Sequence, residues 1–231
     1  MSSWYDALAD GYAEWSTAEH GPDVPFYVGL ARDADGPLVE IGVGTGRVAI
    51  PVARATGRRV IGVDSSGAML AQARARAVKE GVELDLREGD MRELELEEPA
   101  ALVYCPYRAL LHLPTWTDRR LVFQRVAASL SPGGRFAWNA FAFDHAIAAR
   151  LDGMRQEEPV SHTLRYAVGD GRIDIVLDSG ETSSLWWATK NEWLGLLDVA
   201  GLETEALYGW FDRRPFDDES REFVWVARKP K

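Results

Sequence analysis

Leu38-Val39-Glu40-Ile41-Gly42-Val43-Gly44-Thr45-Gly46-Arg47, followed by Val60-Ile61-Gly62-Val63-Asp64, is the stretch that decides the fold. An apolar strand runs into a turn with alternating glycines, a helix leaves that turn, and a second apolar strand ends on an acid about twenty residues later. Glycine has no Cβ, so a turn built on Gly42, Gly44 and Gly46 presents bare backbone amides to a ligand. Asp64, at the tip of the second strand, has two carboxylate oxygens that can accept from both hydroxyls of a ribose. Turn and acid together describe a pocket for an adenosine-containing cofactor. The alternative, a tight turn and an unrelated surface acid, leaves their joint occurrence unexplained.

The glycine spacing narrows the cofactor. A dinucleotide fingerprint places its third glycine where this chain has Arg47, and here that glycine comes one residue earlier. With Glu40 ahead of the first glycine, the run Glu40-x-Gly42-x-Gly44-x-Gly46 resembles motif I of the class I S-adenosylmethionine-dependent methyltransferases. Asp64 matches the ribose-binding acid of that family, Gly89-Asp90-Met91 the adenine-binding motif, and Leu130-Ser131-Pro132-Gly133-Gly134 the turn before strand five. The resemblance spans roughly residues 36 to 143 and implies S-adenosylmethionine as donor and S-adenosylhomocysteine as product. It implies cofactor contacts at Glu40, Gly42, Gly44 and Gly46 on the methionine side, at Asp64 on the ribose, at Met69, Asp90 and Met91 on the adenine, and also at Arg47 and Ser65. Cys105, ending strand four, and Tyr12, on a first helix that closes over the cofactor in small-molecule members, complete that expectation.

Composition sets the outer bounds. A chain of 231 residues, 46% hydrophobic, supports one sizeable core, so a single domain over 1–231 is expected. The lone Cys105 forms no intramolecular disulfide and no zinc spacing, which fits a reducing, cytoplasmic setting without a metal. Asp6, Asp10 and Glu14 lie where a signal peptide would be basic, and no apolar run reaches the length of a membrane span. A net charge of -10 argues against nucleic acid, which needs a basic footprint. Glu93, Glu95, Glu97 and Glu98 read as a solvated loop. A small-molecule substrate and a monomer or homodimer are expected.

Periodicity then places the motifs. Trp4, Leu8, Tyr12 and Trp15 recur at helical spacing and a second apolar segment follows from Phe26 to Ala31, so two N-terminal helices precede the sheet, and the resemblance implies that residues 1–34 act as a helical lid. Strands are expected at 37–42, 59–63, 83–87, 100–105 and 134–143, with helices at about 46–56, 66–79 and 117–130. That alternation predicts an α/β fold with a parallel, doubly wound sheet. After Phe143 the rhythm becomes that of an antiparallel insertion: His162 to Val168, a turn at Asp170-Gly171, Ile173 to Leu177, a turn at Ser179-Gly180, and Leu185-Trp186-Trp187. Thr189-Lys190-Asn191-Glu192 is a capping box for a helix ended by Gly201, and two strands follow at about 202–210 and 221–229. The family resemblance implies a Rossmann-like seven-stranded sheet with its last strand antiparallel, and residues 155–188 as a cap over the substrate.

Methyl transfer from a sulfonium is an in-line displacement that depends on holding nucleophile and methyl carbon aligned in a dry cavity. An amine acceptor needs only to be unprotonated, whereas a hydroxyl benefits from a base. Candidates follow strand four, at the carboxyl ends of the strands: His112 as base, Tyr107 as hydrogen-bond partner and Arg108 as a carboxylate clamp, with Asn139 and Trp186 also against the acceptor. His112 is equally readable as a residue that caps or packs the next helix, and Arg108 more readily as a surface residue or a structural ion pair. Tyr104-Cys105-Pro106-Tyr107 lacks the polar residue that amino-methylating nucleic-acid enzymes place before Pro-Pro, and the order Cys105-Pro106 reverses that of cytosine-C5 enzymes, so Cys105 reads as a buried apolar residue. The function expected is methylation of nitrogen or oxygen on a small molecule. The rival readings are a catalytically silent S-adenosylmethionine-binding regulatory protein and a nicotinamide-dependent oxidoreductase, the latter disfavoured by Arg47.

Overall fold

Short apolar runs alternate with capped helices along most of the chain, and the computed structural model, which describes residues 21–158 and 160–231, assembles them around two sheets. The expected first helix and Tyr12 lie outside the described residues. Helix α1 (Asp23–Arg32) leads into β1 (Leu38–Ile41), α2 (Ala49–Thr56), β2 (Val60–Asp64), α3 (Gly67–Glu80), β3 (Leu84–Glu88) and β4 (Ala100–Cys105). Then come a short 3-10 turn (Ala109–His112), α4 (Trp116–Ser129) and β5 (Leu130–Phe141). Caps set the helix ends: the Ser66 hydroxyl accepts from Met69 N–H at the start of α3, and Thr115 from Asp118 N–H at the start of α4.

An insertion follows: α5 (His145–Leu151), β6 (Arg155–Gln156), β7 (His162–Ala167), β8 (Arg172–Leu177) and β9 (Thr182–Trp186). Helix α6 (Lys190–Ala200), with the capping box of Thr189 and Glu192 in place, precedes β10 (Glu203–Tyr208) and β11 (Glu222–Arg228). The main sheet has seven strands in the order β10-β11-β5-β4-β1-β2-β3. Strands β1 to β5 are parallel, and β11 runs antiparallel to both β5 and β10, as the resemblance implied. Strand order reverses between β1 and β4, which opens a crevice at their carboxyl ends.

Each face of the sheet has its own core. Phe123 of α4 and Trp193 of α6 pack with Phe136, Trp138 and Trp225 on one side, where the Trp138 and Trp225 rings stack at 5.6 Å. Phe26 and Tyr27 of α1 pack with Leu70, Tyr104 and Phe211 on the other. Trp138, Trp193 and Trp225 are therefore core residues.

The structure departs from the sequence reading in two places. The turn expected at Leu130 to Gly134 is present as a looped-out stretch, but β5 begins before it: Ala100 pairs with Leu130 and Leu102 with Arg135. The insertion is a four-stranded sheet, β6-β7-β8-β9, preceded by α5, where three strands were expected. Both additions are short, and the Asp144 side chain, accepting from Ala146 N–H at 2.8 Å, starts a helix of 7 residues that hydrophobic period alone does not resolve.

Candidate functional site

The crevice holds a cleft of about 780 Å³, including its open mouth, lined by Gly42 and Gly44 after β1, by Val63, Asp64 and Ser65 at the end of β2, by Met69 of α3, by Gly89, Asp90 and Met91 after β3, and by Pro106, Tyr107, Ala109, His112 and Leu113 after β4. The structure thus brings together the expected Gly42, Gly44, Asp64, Ser65, Met69, Asp90, Met91, Tyr107 and His112.

The turn is shaped by close approach. Gly42 has φ +71°, and a Cβ there would stand 2.9 Å from the Ala109 Cβ, so only glycine lets the segment after β4 seat against the first turn. The Asp64 carboxylate spans the turn and its own strand: Oδ2 accepts from Gly44 N–H at 2.8 Å and Oδ1 from Ser66 N–H at 2.9 Å. Asp64 lines the cleft, and a carboxylate can accept from both hydroxyls of a ribose diol. Asp90 accepts from the Arg92 backbone N–H at 2.8 Å and from its guanidinium at 2.6 Å, which holds the Asp90 carboxyl below the usual carboxylate range. Met69, 1% exposed, joins Val63, Met91 and Leu113 in an apolar wall suited to a flat base.

Glu40 stands behind the glycine turn, fully buried, with Oε2 lacking a hydrogen-bond partner. Burial pushes its carboxyl well above the ordinary range, against the pull of Tyr104 and of the Arg47 charge. A buried carboxyl with an unpartnered oxygen is the acceptor an incoming ammonium requires, and that cation would favour its ionised form. The bare turn, the Asp64 edge, the apolar wall and the orphaned Glu40 oxygen together fit S-adenosylmethionine.

Other expected contacts are placed elsewhere. The Cys105 side chain is fully buried in the sheet, its thiol raised by burial, and does not reach the cleft wall. Gly46 also lies off the cleft: a Cβ there would meet Ile50 Cδ1 at 3.2 Å and Ala73 Cβ at 3.5 Å, so it serves the packing of α2 and α3. Arg47 makes a two-pronged pair with the buried Asp23, at 2.7 and 2.5 Å, and its guanidinium lies 5.1 Å from the centre of the Tyr107 ring.

The acceptor-side expectations divide in the same way. Arg108 is a structural ion pair: Nη2 donates to Glu222 Oε2 at 2.7 Å and Nε to both oxygens at 3.2 Å, so the carboxylate it clamps belongs to the protein. Asn139 is fully buried, accepting from the Tyr27 hydroxyl at 3.1 Å and donating to Glu222 Oε1 at 2.6 Å, and is unavailable to an acceptor. Trp186 is half-buried on β9 and gives its carbonyl to the Arg119 guanidinium, outside the cofactor cleft. Its neighbour Trp187 points the other way and stacks on Phe143 at 4.1 Å. His112 is on the cleft wall, its ring donating to the Ser184 carbonyl, and burial pushes it down to about 4. Ser184 and Trp186 alternate along the outer edge of β9, so that edge of the small sheet is satisfied by His112 and Arg119.

Sequence reasoning missed Asp23, Tyr27 and Glu222. Asp23 reads only as an acid in a first helical turn, and nothing near Glu222 announces a partner 114 positions away. Among the described residues no group of His, Cys, Asp and Glu is placed to hold a metal, and no helix is long and apolar enough to cross a membrane.

Comparison with known proteins points to the family that the sequence resembles. Residues 38–134 match the family model for a methyltransferase domain. The chain is 27% identical over 222 residues to dTDP-4-amino-2,3,4,6-tetradeoxy-D-glucose N,N-dimethyltransferase of Saccharopolyspora spinosa, covering 89% of this chain and 86% of that protein. It is 25% identical over 213 residues to carboxy-S-adenosyl-L-methionine synthase of Wolinella succinogenes, covering 84% of each. Among solved structures, the CcbJ methyltransferase from Streptomyces caelestis matches with a TM-score of 0.83 and 26% identity, covering 100% of this chain and 99% of that one.

Proposed function

This chain belongs to the class I S-adenosylmethionine-dependent methyltransferases and methylates a small-molecule acceptor, and from that premise we propose that the acceptor atom is an amine nitrogen. The observation that carries the reading is the state of His112. Burial pushes its ring down to about 4, so it is a weaker base than an ordinary histidine, and the Ser184 carbonyl occupies one of its two nitrogens. An amine brings its own lone pair once it is unprotonated. The relative from Saccharopolyspora spinosa, whose name specifies an amino-sugar N,N-dimethyltransferase, supports the same choice.

When bound, S-adenosylmethionine supplies a methyl carbon made electrophilic by its sulfonium. In the proposed arrangement Asp64 accepts from the ribose hydroxyls, Glu40 faces the ammonium, and Gly42 and Gly44 keep the turn open for close approach. Met69, Met91, Val63 and Leu113 exclude water from the base, and Asp90 orients its polar edge. Tyr107 and neutral His112 border the reacting end. The small sheet, tied to His112 through Ser184, covers the acceptor.

The test is transfer of labelled methyl from S-adenosylmethionine to a panel of matched amines and alcohols. Amines are expected to accept, with a rate that rises as the amine deprotonates. His112→Gln is expected to keep turnover within about tenfold, whereas loss of a general base costs about 100- to 10,000-fold. Turnover confined to alcohols, or a His112→Gln loss in the larger range, refutes the amine reading.

A further inference from the structure

Tyr107 and Arg108 are consecutive non-glycine residues in the left-handed region, at φ 57° and 63°. Residues with a Cβ avoid that conformation, and a pair persists only where the surroundings over-determine it. Among the described residues, two ion pairs from distant parts of the chain bear on this turn. On one side Asp23, 0% exposed, fixes Arg47, and the Arg47 guanidinium lies over the Tyr107 ring at 5.1 Å. On the other side Glu222, 1% exposed, takes Arg108 through Nε and Nη2, and the Arg108 guanidinium lies 5.6 Å from the centre of the Phe141 ring. Glu222 is itself anchored by Asn139, and Asn139 by Tyr27.

The turn so held is part of the cofactor cleft. Pro106, Tyr107, Ala109 and His112 are on its wall, and Ala109 packs against Gly42 so tightly that a Cβ on the glycine would stand 2.9 Å away. Release of the two left-handed residues moves that wall relative to the glycine turn. Arg108, occupied by Glu222, then acts through the backbone it holds and not through an anion it binds.

We propose that Glu222 and Asp23 are positioning residues: through Arg108 and Arg47 they hold the Tyr107–Arg108 turn left-handed and so keep the cleft in the shape that receives the cofactor. The role is independent of which acceptor is methylated.

Glycine distinguishes this role from simple structural support, because it adopts left-handed φ without penalty and has no side chain to be clamped. Calorimetric titration with S-adenosylhomocysteine, alongside scanning calorimetry for Tm, is made on Arg108→Ala, Arg108→Gly, Glu222→Gln and the double variant Arg108→Gly/Glu222→Gln. Arg108→Ala is expected to weaken binding about 5- to 20-fold, and Arg108→Gly to recover to within about threefold of the unaltered protein. Glu222→Gln is expected to weaken binding about 3- to 10-fold alone and less than about twofold when added to Arg108→Gly, since both act through one turn. Equal affinities for Arg108→Ala and Arg108→Gly overturn the proposal. So does a Glu222→Gln protein whose Tm falls while its affinity is unchanged, or one whose loss is the same in the glycine background.

Discussion

The carboxyl edge of the main sheet is built in two different ways. Over β1, β2 and β3 the site is made locally: Asp64 lies 20 positions from Gly44, whose N–H it accepts at 2.8 Å. Over β4, β5 and β11 it is made by contacts between remote segments: Arg108 with Glu222 across 114 positions, Asn139 with Glu222 across 83, and Tyr27 with Asn139 across 112. The first half is a motif written in one stretch of chain and shaped to a ligand. The second half is a buried polar network that the whole fold must assemble, and its members are satisfied by one another. The teaching is that ligand contact and structural support occupy the same edge and are told apart by what fills each polar atom.

The comparison breaks most readily at Asp64. Its carboxylate is proposed to give both oxygens to the ribose while holding Gly44 and Ser66, so Asp64→Ala is expected to weaken S-adenosylhomocysteine binding about 10- to 100-fold, the equivalent of about 1.5 to 3 kcal/mol for a charge-assisted hydrogen bond. Calorimetric titration reads the change directly. An affinity equal to that of the unaltered protein would remove Asp64 from the site and leave the local half of the edge as a turn without a ligand.

A second effect, smaller, lies where the two halves meet. Burial holds His112 at about 4, against an ordinary value of 6.5 that applies in the unfolded chain. Above pH 6.5 the ring is neutral in both states and costs nothing. As pH falls below that value the unfolded chain binds a proton that the folded protein refuses, so stability drops until the folded value is reached and then levels off. Between pH 6.5 and about pH 5 the loss attributable to this ring is about 1 to 2 kcal/mol. His112→Gln, which keeps a donor for the Ser184 carbonyl but does not titrate, is expected to show a flatter dependence of Tm on pH over that window. Parallel profiles for the two proteins would mean that the ring is not held neutral by its surroundings.

Legibility in the sequence follows the same division. Period, glycine turns and capping residues located nearly every element of the main sheet, because each depends on neighbours a few positions away: the capping box at Thr189 and the left-handed Gly201 bound α6 as read. The glycine turn and Asp64 were legible for the same reason. Arg108 was readable as a structural ion pair but its partner was not, and the role of Asn139 was not, since both are decided by Glu222 and a single sequence carries no mark of which acid will stand beside which base after folding. Cys105 shows the intermediate case: its place at the end of β4 and its reading as a buried apolar residue match the structure, whereas strand register turns the side chain away from the cleft contact that was also expected. Trp138, Trp193 and Trp225 show that an abundance of tryptophan says little about a pocket until layer packing is known.

The smallest effect tests the remote half in isolation. Tyr27 is fully buried on α1, its ring stacked on Tyr104 at 5.5 Å, and its hydroxyl donates to Asn139 Oδ1 at 3.1 Å. Tyr27→Phe keeps the ring and removes only that donor. Asn139 then loses one of its partners while its amide still reaches Glu222 at 2.6 Å, so the network is weakened at its end and not broken. The expected cost is about 1 kcal/mol of stability, typical for one neutral hydrogen bond, read as a fall in Tm of a few degrees. Binding of S-adenosylhomocysteine at a temperature well below Tm is expected to stay within about twofold, because the Arg108–Glu222 pair survives. If Tyr27→Phe instead weakened binding as much as Asp64→Ala while Tm held, the remote half would be in contact with ligand, and the division between a motif that binds and a network that supports would fail.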